Sequence, residues 1–428
     1  MNLTKKSVNL PAQAGLLARP RDVARRQMLA LLTWVLLGIC LAAHPGHLAA
    51  DENEAAALEA GWWKALATGV GQSPLASAEL AGLGWNKFAE HLGMDEPRYL
   101  ATYAAYGNGD KLWVMGRVLA NGPARGPRSD DRWWDNLLAS YQRWETDEVQ
   151  GAEILLRWGG QERQVMSDHE GYYAANFEIF PDSPIQSPVL ASHELQENTI
   201  LGTHRVFMRP DAAQTLIISD MDDTVIYTGL SSLRVAAQQT FLNNARTRKP
   251  LAGVAELYHA LVRGPDGEAD NPVFYVSNSG WNLWDLLRDF LELNDLPRGP
   301  LLLRDLGREA DTEDHKIVTI RQIVERFPDL PVLLIGDSGQ HDAEIYTEIA
   351  QAYPDRVLAI YLRDVDPQII SEDDRRVRAV TSPLADLDIT YKLVGDSVEI
   401  ANSVAGLGLI DAEQIERVRQ GVQRDRAR

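Results

Sequence analysis

Apolar and polar residues follow two textures along the chain. Between about residues 98 and 209 the apolar positions come in short aromatic and β-branched runs broken by turn residues. Tyr99–Tyr106 and Lys111–Leu119 flank Gly107-Asn108-Gly109-Asp110, and Asn-Gly between two such runs predicts a β-hairpin. Gly151–Trp158, Glu162–Met166 and Tyr172–Ile179 continue with strand-like composition, interrupted at Gly159-Gly160 and Asp168–Gly171. Several short strands at this spacing predict a small antiparallel β-sandwich over 98–209. Arg128–Trp144 interrupts it with Trp133, Trp134, Tyr141 and Trp144 set among Arg and Asp. That insertion reads either as a cover for the sandwich or as a patch suited to a membrane interface.

From residue 210 the pattern changes to short, uniformly apolar runs separated by helical periodicity. Leu216–Ile218, Val273–Val276, Leu301–Leu303, Val332–Ile335 and Val357–Leu362 read as strands buried on both faces. Leu251–Val262, Trp281–Leu293, Ile317–Phe327 and Ala343–Tyr353 read as the helices between them. Strands alternating with helices predict an α/β fold, a Rossmann-type parallel sheet with right-handed crossovers, over 210–390. Each strand runs into polar residues: Asp220, Ser277-Asn278-Ser279-Gly280, Arg304-Asp305, Gly336-Asp337-Ser338-Gly339 and Arg363-Asp364. In such sheets these ends share one edge, where ligands bind.

The densest polar end is Asp220-Met221-Asp222-Asp223-Thr224. Carboxylates this close repel one another, and a hard divalent cation relieves that repulsion. The alternative is an acidic turn that caps the following helix through Asp223 or Thr224. Each downstream feature also has a plain reading: Lys316 as a surface lysine, Asp337 as part of a glycine-rich turn, Ser277 and Ser279 as caps for the Trp281 helix. Taken together they offer two carboxylates for nucleophilic and proton-transfer work, hydroxyl and lysine donors for a phosphate, and a further carboxylate for a metal. Phosphoryl transfer needs that combination, because it rests on positioning and on charge stabilisation around three oxygens.

Composition narrows the reading. The 428 residues carry a formal charge of −19, although residues 1–50 hold six basic residues against one acid. So acidic a body disfavours a nucleic-acid role. The single cysteine, Cys40, leaves the rest of the chain without disulfides, thiolate metal ligands or a cysteine nucleophile. Arg25-Arg26, an apolar run from Met28 to Ala43 and small residues before Asp51 predict that 1–50 is a signal peptide or signal anchor. The body is then expected to be exported, either periplasmic or anchored to the inner membrane with the body outside. Residues 51–97 read as a helical lead-in, and 391–428 as a helical tail whose last helix either docks on the body or touches anionic lipid.

In order and approximate spacing, Asp220-Met221-Asp222-Asp223-Thr224, Ser277, Lys316 and Gly336-Asp337-Ser338 with Asp342 resemble the four motifs of the haloacid dehalogenase superfamily. The fuller strings ISDMDDT, YVSNSGWNLWDLL, HK and LIGDSGQHDAEIY resemble more narrowly the catalytic domain family of actin-patch-associated phosphatidate phosphatases. Gly280 stands after Ser279 where that family would be expected to carry proline. The resemblance implies a HAD-like fold with a minimal cap and a Mg2+-dependent phosphatidate phosphatase. It implies Asp220 as nucleophile, Asp222 as general acid and base, and Ser277, Asn278 and Lys316 as phosphate contacts. It implies Asp220, Asp222, Asp337 and Asp342 around the metal, the last in or next to its shell, with His315 and Arg304 as possible headgroup contacts. The gaps between motifs are too short for a large cap, and an open site suits a substrate presented by a surface, such as a phospholipid. Two other readings stay open: a periplasmic phosphatase of phosphoproteins or soluble phosphomonoesters, and a non-catalytic β-sandwich binding protein with a vestigial phosphatase half.

Overall fold

The computed structural model describes residues 99–120, 149–194, 199–221, 224–225, 250–305, 315–365 and 371–427. The stretches read as signal segment, helical lead-in and Trp-rich insertion lie outside the described residues, as do Asp222, Asp223 and residues 226–249. The chain divides into two compact units, Met1–Glu96 and Pro97–Arg428, and all described residues fall in the second.

Eight strands form two four-stranded sheets. One has the order β5 (Tyr172–Glu178), β2 (Lys111–Leu119), β1 (Tyr99–Gly107), β8 (Phe207–Met208). The other has the order β4 (Gln161–Met166), β3 (Glu153–Trp158), β6 (Val189–Glu194), β7 (Thr199–His204). All pairings are antiparallel except β1 with β8. Leu100, Leu112, Val114, Ile154, Leu156, Phe177 and Val189 fill a core shared by both sheets. In β3 and β6 buried residues alternate with more exposed ones, as strands with one solvated face require. The β1–β2 hairpin turns where the sequence predicts it. Asn108 Oδ1 accepts from the amides of Asp110 (3.0 Å) and Lys111 (3.1 Å), while Gly109 takes a φ of 106° that side chains resist.

The third sheet has six parallel strands in the order β11 (Leu301–Arg304), β10 (Val273–Gly280), β9 (Leu216–Ser219), β12 (Val332–Asp337), β13 (Val357–Arg363), β14 (Thr390–Val394). All four residues of β9 are buried, consistent with an interior strand of uniformly apolar sequence. Asn271 fixes its start: Oδ1 accepts from the amides of Gln214 (2.7 Å) and Thr215 (2.9 Å), and Nδ2 donates to the Leu261 carbonyl at 2.8 Å. Strand β10 runs four residues past its apolar stretch, so Ser277 and Ser279 are strand residues. Neither caps a helix. The short 3-10 turn Trp281–Leu283 that follows is capped by Gly280 without a side-chain bond.

Among the described residues the α-helices are α1 (Val254–Arg263), α2 (Trp284–Leu293), α3 (His315–Arg326), α4 (Asp342–Ala352), α5 (Glu372–Thr381), α6 (Ser397–Gly406) and α7 (Ala412–Arg426). The break expected between 390 and 391 falls inside β14, which pairs with β13. The tail is therefore tied to the sheet. Helix α7 docks on α1: Asp425 Oδ2 accepts from the Gly253 amide (2.9 Å), Gln414 Nε2 donates to the Gly264 carbonyl (2.8 Å), and Arg424 pairs with Glu256. Its Val418 joins the core around the parallel sheet. No helix among the described residues is long and apolar enough to cross a membrane.

Candidate active site

Register brings three chemistry-bearing strand ends to one edge. Ser219 of β9 pairs with Tyr275 of β10 and with Ile335 of β12, so Asp220, Ser277 and Asp337 all stand one or two residues beyond aligned positions. The Asp220 amide still donates to the Ile335 carbonyl at 2.9 Å, which holds the first residue after β9 against β12. Beneath it, Ser219 Oγ donates to the Asp220 carbonyl (2.6 Å) and lies 2.6 Å from the Tyr258 hydroxyl of α1. Burial raises the pKa of that hydroxyl, which keeps it neutral.

Lys316, in the first turn of α3, is fully buried rather than at the surface. Its Nζ donates to Asp220 Oδ1 at 2.7 Å and to Asp342 Oδ1. Burial alone would lower its pKa, but the Asp220 and Asp342 carboxylates overcome that and raise it, so the ammonium stays charged. Asp342, at the start of α4, also accepts through Oδ2 from the Asp337 amide at 3.2 Å. Asp337 Oδ1 accepts from the amides of Gly339 (2.7 Å) and Gln340 (2.9 Å), which curls the loop after β12 back on its own carboxylate. Asp220, Asp337 and Asp342 are each at most 1% exposed.

These three carboxylates each offer an oxygen within 4.8 Å of the others. Lys316 balances one of their three negative charges, and a divalent cation suits the remainder, since buried like charges are otherwise strongly disfavoured. An all-oxygen donor set fits a hard ion such as Mg2+. Of the residues the sequence singles out, Asp220, Lys316, Asp337 and Asp342 meet directly. Asp342 is a full member of this group. Ser277, fully buried, and half-buried Asn278 stand at the same edge, where Ser277 Oγ accepts from the Ser279 amide at 2.9 Å. His315, next to Lys316, is held neutral: burial first, then the Arg304 and Lys316 charges, push its pKa down to about 4.

Two residues shape the site without having been given a chemical role from the sequence. A Cβ on Gly336 would lie 2.3 Å from Asp342 Oδ2 and 2.7 Å from Tyr346 Cε2, so only glycine lets α4 approach β12 this closely. Arg376 of α5 donates through Nη2 to the carbonyls of Ser338 (2.6 Å) and Gln340 (2.7 Å), and through Nη1 to Glu344. It thus clamps the loop that follows Asp337. The close glycine is visible in the string GDSG, whereas Arg376 is one arginine among several on a polar helix and gives no sequence signal.

Residues 215–364 match the family described as "Phosphatidate phosphatase APP1, catalytic domain". The resemblance read from the motifs to phosphatidate phosphatases therefore holds over that segment. Phosphatidate phosphatase APP1 of Saccharomyces cerevisiae is 34% identical over 154 residues, 34% of this chain and 25% of that protein. An uncharacterised protein of Schizosaccharomyces pombe is 26% identical over 250 residues, 54% of this chain and 40% of that protein. The chain thus spans well under half the length of these curated relatives. Among solved structures, a carbohydrate acetylesterase from Xanthomonas citri aligns over 76% of this chain and 73% of its own at 10% identity, with a TM-score of 0.30, too low to carry an argument.

Proposed function

We propose that this protein is a Mg2+-dependent phosphatidate phosphatase of the haloacid dehalogenase type, releasing diacylglycerol and phosphate through an aspartyl-phosphate. The observation that carries this reading is Lys316 Nζ bonded to Asp220 and Asp342 beside Asp337, buried at the carboxyl edge of a parallel sheet, in the segment that matches the phosphatidate phosphatase family. The sheet order supports the superfamily, because the Asp220 strand lies between the strands that carry Ser277 and Asp337.

In this mechanism an Asp220 carboxylate oxygen attacks phosphorus, forming the acyl-phosphate bond as the bond to the diacylglycerol oxygen breaks. Asp222 gives that alkoxide its proton, then takes one from the water that attacks the aspartyl-phosphate, so that phosphate leaves and Asp220 is restored. Lys316, held charged and bonded to Asp220 Oδ1, sits where it can meet phosphoryl oxygens, with Ser277 and Asn278 donating from β10. Asp220, Asp337 and Asp342 would hold Mg2+, joined by Asp222. The ion supplies positive charge against the developing phosphoryl charge. We place the enzyme outside the inner membrane on the strength of the N-terminal segment, with phospholipid presented by a membrane surface.

Purified protein with Mg2+ is expected to release phosphate from phosphatidate in mixed micelles, and Asp220→Asn is expected to abolish it. Hydrolysis of p-nitrophenyl phosphate with phosphatidate untouched would overturn the lipid assignment. Phosphate release undiminished in Asp220→Asn would remove Asp220 as nucleophile.

A further inference from the structure

Strand β1 belongs to the sandwich, yet its side chains serve two cores. Leu100 and Ala105 enter the sandwich core, whereas Ala101, Tyr103, Ala104 and Tyr106 enter the core of the parallel sheet. A β-bulge extends the second of these contacts. Ala101 pairs with Arg117 and Ala104 with Met115, so β1 spends three steps where β2 spends two. Tyr103 shares the face of Ala101 by ordinary alternation, and the extra residue brings Ala104 and Tyr106 onto that same face, so that four side chains of β1 meet the parallel sheet.

Tyr103 meets the residues that follow the Ser277–Gly280 segment. Its ring stacks on Trp281 with centroids 4.5 Å apart and planes 20° from parallel, and it tilts against Trp284 at 5.4 Å. Tyr103 and Trp281 are each 7% exposed, so this is a packed junction. The tyrosine hydroxyl bonds to Arg117, whose guanidinium lies 4.5 Å over the Tyr172 ring and whose Nε donates to the Glu170 carbonyl at 2.7 Å. Tyr103 is thereby anchored in the sandwich on one side and stacked on the end of β10 on the other.

We propose that Tyr103 is a positioning residue: by fixing Trp281 it holds the Ser277–Gly280 end of β10 in place, which makes the sandwich part of the catalytic unit. The consequence for catalysis rests on the phosphatase reading above, but the structural coupling does not. A stack of this kind restricts the backbone on which phosphate donors sit, and small misplacements of such donors are costly to rate.

The test uses the full chain with Tyr103→Ala, Tyr103→Phe, which keeps the stack, and Phe177→Leu, which loosens the sandwich core alone. Amide hydrogen exchange over 277–283 is expected to rise in Tyr103→Ala and to match wild type in the other two. On a soluble phosphomonoester, kcat/KM should fall about tenfold in Tyr103→Ala alone, with KM rising, since the phosphate donors are loosened. Should Tyr103→Ala fail to fold, Tyr103→Leu keeps the bulk and is read in the same way. Unchanged exchange over 277–283, or an equal rise in Phe177→Leu, overturns the inference. Absence of phosphate release from every variant and from wild type, with the exchange contrast intact, would overturn the phosphatase reading and leave the coupling standing.

Discussion

At Gly336 one hydrogen atom separates a working carboxylate cluster from a displaced one. Gly336→Ala would push a methyl group into Asp342 Oδ2 and the Tyr346 ring, and Asp342 is the residue that joins Lys316 to the Asp337 amide. The expected outcome is a loss of about 1–3 kcal/mol in denaturant unfolding, typical of an overpacked core, and a fall in kcat larger than the stability change explains. At this scale much of the site was legible. Asp220 and Asp337 are read from apolar runs whose burial brings their ends to the same sheet edge, and Lys316 and Asp342 from the order of the motifs along the chain. What the order could not convey is that Lys316 is buried between two carboxylates, since a lysine at a helix start is equally at home in solvent. Asp222 lies outside the described residues and stands on the motif resemblance alone.

Among elements, the uniformly apolar strands announced themselves and the mixed ones did not. Strands β9 to β13 follow the runs read from the sequence because their apolar residues are buried almost throughout, in β11 at one edge of the sheet as in the four interior strands. Strand β14 escaped because Thr390–Val394 lies at the sheet edge with only Val394 fully buried, so its apolar signal is thin. Strand β6 alternates buried and more exposed positions and β7 exposed and half-buried ones, over six residues each, too short a pattern to stand out. Helix α5 shows what an element can add without any motif. Arg376 joins it to the Ser338–Gln340 loop and to Glu344 of α4. Arg376→Ala is expected to lower the rate of phosphate release about tenfold through the loosened Asp337 loop. Arg376→Lys should recover little of it, since an ammonium cannot serve two carbonyls and a carboxylate with the same planar fork. Steady-state kinetics on the three proteins checks both outcomes.

The molecule as a whole carries an acid sensitivity far from the site. His204 of β7 is 1% exposed, and its Nε2 lies 3.0 Å from the Tyr173 hydroxyl inside the sandwich. Burial pushes its pKa down to about 3 from an ordinary value of 6.5, so the folded state keeps it neutral while the unfolded chain protonates it below pH 6.5. Its contribution is therefore complete above pH 6.5 and is lost progressively as pH falls toward 3, at about 1.4 kcal/mol per pH unit. His204→Gln is expected to reduce the slope of the stability profile between pH 6.5 and 5, above the ordinary carboxylate range, leaving the part due to His315, as read by urea unfolding at stepped pH. The docking of α7 on α1 has a consequence in time. Helix α1 leaves the ribosome more than a hundred residues ahead of α7, and Gly253, Gly264 and Glu256 wait for partners at Asp425, Gln414 and Arg424. Because chains are made at roughly 5–20 residues per second, the face of α1 stays bare for seconds on a chain still being synthesised, before its own helix reaches it.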